Sequence, residues 1–206
     1  MSVTLEQLLQ SRDKRAQHQR DLLGENPGKS LLCLTVQLPG SEKRNGMSLA
    51  IAKAGVEAIR EAFKPEFEEL LDLETGYEGY FLVSLEALEA KRRTCRLEDT
   101  HPLGRLMDID VLVSTASAGP TAEENYFSGR YRKNQFSSAI SNLTHADASI
   151  ANPTHADAVG REDIGLEPRR CLLCGNEVRY CMRAKSHTQG ELLAKIEEMV
   201  NSYLKL

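Results

Sequence analysis

A chain of 206 residues is one large domain or two small ones, and 41% hydrophobic content supplies a real core. A net charge of −4, no Trp and only 5% aromatic residues argue against an overall basic field or base-stacking platforms for nucleic acid. No apolar run is long enough for a transmembrane helix and the polar N-terminus shows no signal-peptide hydrophobic region, so a cytoplasmic enzyme is expected.

Thr4 to Leu23 reads as a helix. Thr4 and Gln7 make a capping box, Leu5, Leu8 and Leu9 begin an apolar stripe, and Leu22 and Leu23 end it. Arg12, Arg15 and Arg20 lie between and, by charge alone, form a solvated face. Gly24 to Gly28, with Pro27, stops the helix. Leu31 to Leu38 is a β-type run in which Cys33 is a small buried hydrophobe. After a polar loop, Ser48 to Phe63 puts Leu49, Ala52, Val56, Ile59 and Phe63 on one helix face, and Pro65 stops it. Phe67 to Glu74 fits either helix or strand and is read as a strand, Gly76 and Gly79 bracket a turn, and Tyr80 to Leu88 is a strand or a strand entering a helix. Arg92 to Glu98 is a further strand candidate.

His101 to Val111 carries the densest chemical signal. Met107, Ile109 and Val111 fall on one strand face, Asp108 and Asp110 on the other. Asp is disfavoured in strands, and two like charges at i and i+2 repel unless something positive sits between them. A divalent cation such as Mg²⁺, which takes carboxylate and phosphate oxygens, fits that place. Gly104 permits close backbone approach or positive φ, and Arg105 offers a guanidinium fork matched to phosphate. The plainer reading of the same alternation is a half-exposed strand with a polar face.

Ser114 to Gly160 is rich in Ser, Thr, Ala and Asn, and repeats Thr144-His-Ala-Asp-Ala148 as Thr154-His-Ala-Asp-Ala158. Such a segment buries too little apolar surface to offset its ordering entropy, so it reads as a flexible insertion over 114–160. Beyond it, the consecutive Arg169 and Arg170 suit phosphate or diphosphate, or face solvent as a plain charge run. Cys171, Cys174, Cys181 and His187 give C-x2-C-x6-C-x5-H, whose first pair has zinc-knuckle spacing. A closed Cys3His site is structural; otherwise these residues pack as a reduced, apolar joint. Glu177 to Lys185 reads as a short helix. Thr188 to Leu204 reads as a second, with Leu192, Leu193, Ile196, Met199, Val200 and Leu204 facing a core.

Three pieces together resemble one family, the apo-citrate lyase phosphoribosyl-dephospho-CoA transferases. They are Gly104-Arg105-x-x-Asp108-x-Asp110, then Pro168-Arg169-Arg170-Cys171-Leu-Leu-Cys174 followed by Cys181, Arg183 and His187, and the N-terminal Leu8-Leu9-x-x-Arg12-Asp13-x-Arg15. The resemblance implies a nucleotidyltransferase-type reaction. A triphosphoribosyl derivative of dephospho-CoA is the donor and a serine of the apo acyl carrier subunit of citrate lyase the acceptor; diphosphate leaves. It also implies phosphate binding by Arg12 and Arg15. Asp163, where the family pattern resumes after the long insertion, becomes a candidate third acid.

The expected architecture is a single α+β (α/β mixed), nucleotidyltransferase-like domain over residues 1–206. A mixed sheet has the acidic strand near its active edge and helices covering it, with a Cys-rich joint and C-terminal helix over 168–206. In the expected mechanism Asp108 and Asp110 hold one or two Mg²⁺, Gly104, Arg105, Arg169 and Arg170 meet phosphate, and catalysis is positioning and electrostatics. No nucleic acid or membrane is implicated. Two other readings stand at this point: a different Mg²⁺-dependent nucleotidyltransferase, and a zinc-stabilised, non-enzymatic interaction module.

Overall fold

The computed structural model describes residues 3–114 and 156–205. Five helices and five strands follow in the order α1 (Leu5–Glu25), β1 (Ser30–Val36), α2 (Gly46–Phe63), β2 (Phe67–Leu73), β3 (Gly76–Val83), α3 (Ala87–Thr100), β4 (Met107–Ser114), β5 (Ala156–Val159), α4 (Val178–Ala184) and α5 (Gln189–Tyr203). Capping boxes start three of the helices, Thr4 with Gln7 on α1, Asn45 with Ser48 on α2, and Thr188 with Glu191 on α5. None of the described helices is long and apolar enough to cross a membrane.

The strands form one sheet in the order β2-β3-β1-β4-β5, and every neighbouring pair is antiparallel. The α+β class holds; the mixed sheet does not. Strands joined by a helix run in the same direction, β1 with β2 through α2 and β3 with β4 through α3. Each such pair is separated by an intervening antiparallel strand, so parallel strands never touch. This is the split βαβ arrangement.

The core lies in two layers. On one face Leu32, Leu34, Phe81, Ile109 and Val111 pack against Ile51 and Ile59 of α2, Ala90 and Leu97 of α3, and Ile196 and Val200 of α5. On the other, Leu31, Cys33, Tyr80, Leu82 and Leu112 pack under Leu22 and Leu23 of α1. Asp108 and Asp110 stand on this second face, cross-strand from Thr35 and Cys33.

Three further expectations are corrected. Arg92 to Glu98 is not a strand but the middle of α3. The buried face of that helix includes Lys91, Thr94 and Glu98 beside Ala90, Cys95 and Leu97, so it carries no clean apolar period. Gly79 does not bound a turn. The turn is Glu74 and Thr75, and Gly79 lies inside β3, where a Cβ would crowd the Phe81 ring and Leu34. Finally, residues 115–155 of the expected insertion, with the first copy of the repeat, lie outside the described residues. Its last part is not loop: Ala156–Val159 form β5, paired with Val111 to Ser114.

Candidate active site

Because β5 covers only Val111 to Ser114, Met107 to Asp110 form an open edge of the sheet. Unpaired backbone groups on such an edge need other partners, and long charged side chains supply them. The buried Glu98 accepts from the Ile109 N–H at 2.8 Å, the buried Lys91 donates to the Ile109 carbonyl at 3.2 Å, and Arg169 donates to the Met107 carbonyl at 3.2 Å. The groups that finish the edge are therefore charged, and they flank the two aspartates.

Arg169 ties the place together. Its Nη2 lies 2.5 Å from Glu98 Oε1 and 2.9 Å from Asp108 Oδ1. Gln37 Nε2 donates to the other oxygen of Asp108 at 2.9 Å. Arg161 faces Glu98 Oε2 at 3.5 Å and Asp99 at 3.1 Å. Burial pushes the Glu98 carboxyl above the ordinary glutamate range, against the pull of Arg169, the Ile109 N–H and Lys91. Asp110 is also held high, first by crowding protein atoms and then by the Asp108 charge, with Lys91, Arg169 and Arg15 pulling it down. Its side chain still opens to solvent, so the like charge is the cause that a bound cation would reverse.

These groups line a cleft of about 490 Å³, with Asp108, Asp110, Lys91, Arg161, Arg169 and Arg179 on its walls. Two carboxylates on one strand, ringed by four cations, can hold a divalent ion and neutralise a polyphosphate together.

The other expected site residues fall elsewhere. Gly104 is not in the left-handed region. It is pressed on the end of α3, where a Cβ would lie 2.8 Å from the Leu97 carbonyl oxygen and closer still to that of Glu98. Arg105 donates to the Arg170 carbonyl, and Arg170 turns outward to Glu167 at 2.6 Å. Asp163 accepts from the Gly160 N–H at 2.7 Å, closing its own turn. Arg12 is exposed, whereas Arg15 reaches under α1 to the buried Glu78 at 2.5 Å.

Cys171, Cys174, Cys181 and His187 do converge, with all four ligand atoms within 4.8 Å of one another, and can hold a metal ion. His187 Nε2 lies 3.2 Å and Cys181 Sγ 3.4 Å from Cys174 Sγ. The Leu173 N–H points at Cys171 Sγ at 3.5 Å, and Gly175 turns the chain at φ +70°. The Asn176 N–H, with His187 and Cys181, holds the Cys174 thiol down to about 6.

The family model of apo-citrate lyase phosphoribosyl-dephospho-CoA transferases matches residues 3–121 and 142–203. The chain belongs to this family. It is therefore a transferase. A probable apo-citrate lyase phosphoribosyl-dephospho-CoA transferase of Streptococcus pyogenes serotype M3 is 28% identical over 98% of this chain and 88% of its own. A probable enzyme of the same name from Vibrio cholerae serotype O1 (strain M66-2) is 30% identical over 98% and 94%. Protein CitXG of Haemophilus influenzae is 26% identical over 98% of this chain but only 36% of its own length. The match to the transferase family passes over residues 122–141, inside the expected insertion.

Sequence reasoning missed Lys91, Glu98, Arg161 and Arg179. Glu98 was hidden by reading Arg92 to Glu98 as a strand, and Lys91 stands just before that stretch; in the helix, Lys91, Thr94 and Glu98 share one buried face. Nothing local marks Arg161 or Arg179, since a lone arginine in a loop or a short helix has no pattern.

Proposed function

We propose that the cleft at the open edge of β4 is where this transferase moves the phosphoribosyl-dephospho-CoA group from its triphosphate donor to a serine of the apo acyl carrier subunit of citrate lyase. The observation that carries the reading is Asp108 and Asp110 on one strand face among Lys91, Arg161, Arg169 and Arg179. Family membership supports the reaction class, and carboxylates ringed by cations support phosphoryl chemistry. The reaction is nucleotidyl-type. A bond forms between the serine oxygen and the donor's α-phosphorus as the bond to diphosphate breaks.

Asp108 and Asp110 fit Mg²⁺, being hard oxygen donors side by side on one strand face; Asp110 is raised by burial and then by the Asp108 charge. When bound there, the ion neutralises phosphate charge and acts as a Lewis acid. Arg169 balances Asp108 and, held by Glu98, is set to turn its remaining N–H groups to a phosphate. Lys91, donating to the Ile109 carbonyl beside the aspartates, lowers the cost of Asp110 in its ionised form. Arg105 acts one step away, fixing the chain at Arg170. The carrier supplies the serine, so no nucleophile is required from this chain, and positioning and electrostatics supply the rate.

The Cys3His cluster fits structural Zn²⁺. Tetrahedral S and N ligands at zinc distances lie roughly 3.5–3.8 Å apart, within a few tenths of an ångström of the 3.4 and 3.2 Å separations around Cys174, and all four ligand atoms lie within 4.8 Å of one another. All five cysteines are free, which suits a reducing cytoplasm. The test is incubation of purified apo carrier subunit with the chain, triphosphoribosyl-dephospho-CoA and Mg²⁺. The carrier should gain the mass of the phosphoribosyl-dephospho-CoA group with diphosphate released in equal amount. An unchanged carrier mass would sink the reading.

A further inference from the structure

We propose that the Cys3His cluster, when it holds a metal, sets the strength of donor binding, because it fixes the cleft arginine Arg179 at a defined separation from Arg169. The inference rests on the functional reading above and on the zinc fit. The cluster sits at the tip of a small hairpin. The Cys171 N–H donates to the Asn176 carbonyl at 2.6 Å, Arg170 bridges Glu177, and the Val178 N–H donates to the Arg169 carbonyl at 2.9 Å. Arg169 therefore leaves the base of one arm, and Arg179 follows the base of the other. Both side chains reach the cleft wall.

The hairpin has little apolar material to hold it. Cys181 is the one buried residue of α4, and Tyr180 and Met182 are exposed. Leu172 touches the main core and Arg105 grips the Arg170 carbonyl. The hairpin's tip meets α4 through Cys174, Cys181 and His187. A segment with so small a core needs a metal or another cross-link to keep its shape. A metal there joins the tip, through Cys171 and Cys174, to the helix that carries Arg179, through Cys181 and to His187 beyond.

The two arginines differ in a useful way. Arg169 is held independently by Glu98 and Asp108. The Arg179 side chain makes no hydrogen bond or ion pair among the described residues, so the helix that the cluster anchors is what places it. Arg179 is thus free to take a polyphosphate oxygen, and the cysteines and His187 act as positioning residues for it.

The experiment compares four chains: wild type, Cys174→Ser, Arg179→Gln and the double variant. Metal is measured by elemental analysis, donor affinity by calorimetry with triphosphoribosyl-dephospho-CoA, and folding by far-ultraviolet circular dichroism. Cys174→Ser should lose the metal and bind donor on the order of tenfold more weakly, the scale of one charge-assisted contact. Arg179→Gln should keep the metal and weaken binding by a similar factor. The double variant should be no weaker than the weaker single one, since both changes remove the same contact. Arg183→Gln, on the same helix but outside the cleft lining, should match wild type. Chelation of wild type followed by zinc add-back should lower and restore the affinity, which removes any doubt about the folding of the serine variant. Metal loss with unchanged donor affinity, or losses that multiply in the double variant, overturns the inference and leaves the functional reading standing. Wild type that binds no donor overturns both.

Discussion

Replacing Asp108 or Asp110 by Asn separates a catalytic pair from a polar strand face, because the two roles predict opposite balances of activity and stability. Asn keeps the shape and the strand but removes the charge that a hard cation or Arg169 needs. Transfer to the carrier should fall about a hundredfold or more, the scale of losing a well-placed electrostatic partner of a transition state. Stability should hardly move. The Asp108–Arg169 pair lies 2.9 Å apart with side chains 34% and 23% exposed, and pairs of that kind contribute about 1 kcal/mol or less. For Asp110→Asn the sign should reverse. Its carboxyl is raised by crowding and by Asp108, so neutralising it near pH 7 stabilises the fold slightly. Ile109→Val is the control. Ile109 is fully buried on the opposite face, so the change costs about 0.5–1.5 kcal/mol and leaves transfer intact. Single-turnover transfer at saturating Mg²⁺, with urea melts of each variant, measures both quantities. Near-normal transfer by either Asn variant removes the aspartates from the reaction.

Gly104→Ala should destabilise by about 1–3 kcal/mol, because its Cβ meets the rigid backbone of Leu97 and Glu98; an unchanged urea midpoint would refute the close-packing account. Gln at position 98 mimics the protonated acid at every pH. Since the folded pKa of Glu98 is raised, the folded state holds its proton longer than the unfolded state. Wild-type stability relative to Glu98→Gln should therefore be greatest below the ordinary glutamate range and fall as pH climbs through the raised pKa. Melts from acid to neutral pH that show the difference growing instead would contradict this. Replacing residues 122–141, which the family match passes over, by a short Gly-Ser link should leave a cooperative melt. Closure entropy changes by only about 0.6 kcal/mol per doubling of a connection's length. Extending the deletion through Val159 removes β5 and its pairing with Val111 to Ser114, and should lower the melting temperature clearly.

The sequence alone determined what local chemistry controls. The capping box of α1, the opposite faces of Asp108 and Ile109, and the four-ligand spacing from Cys171 to His187 are short-range patterns, and the fold keeps each of them. Tertiary structure alone decided which member of a like pair is used. Arg169 and Arg170 are neighbours of the same type, yet backbone pairing with Val178 sends Arg169 inward to Asp108 and leaves Arg170 on Glu167. Arg15 meets Glu78 under α1 while Arg12 stays exposed. Lys91 and Glu98 were invisible because a helix face that buries charge has no apolar period. Their burial makes sense only beside an open sheet edge, whose backbone groups they complete. That edge exists because β5 stops at Val159, opposite Val111. Strand order and strand length are long-range outcomes, and the charged groups of the cleft follow from them.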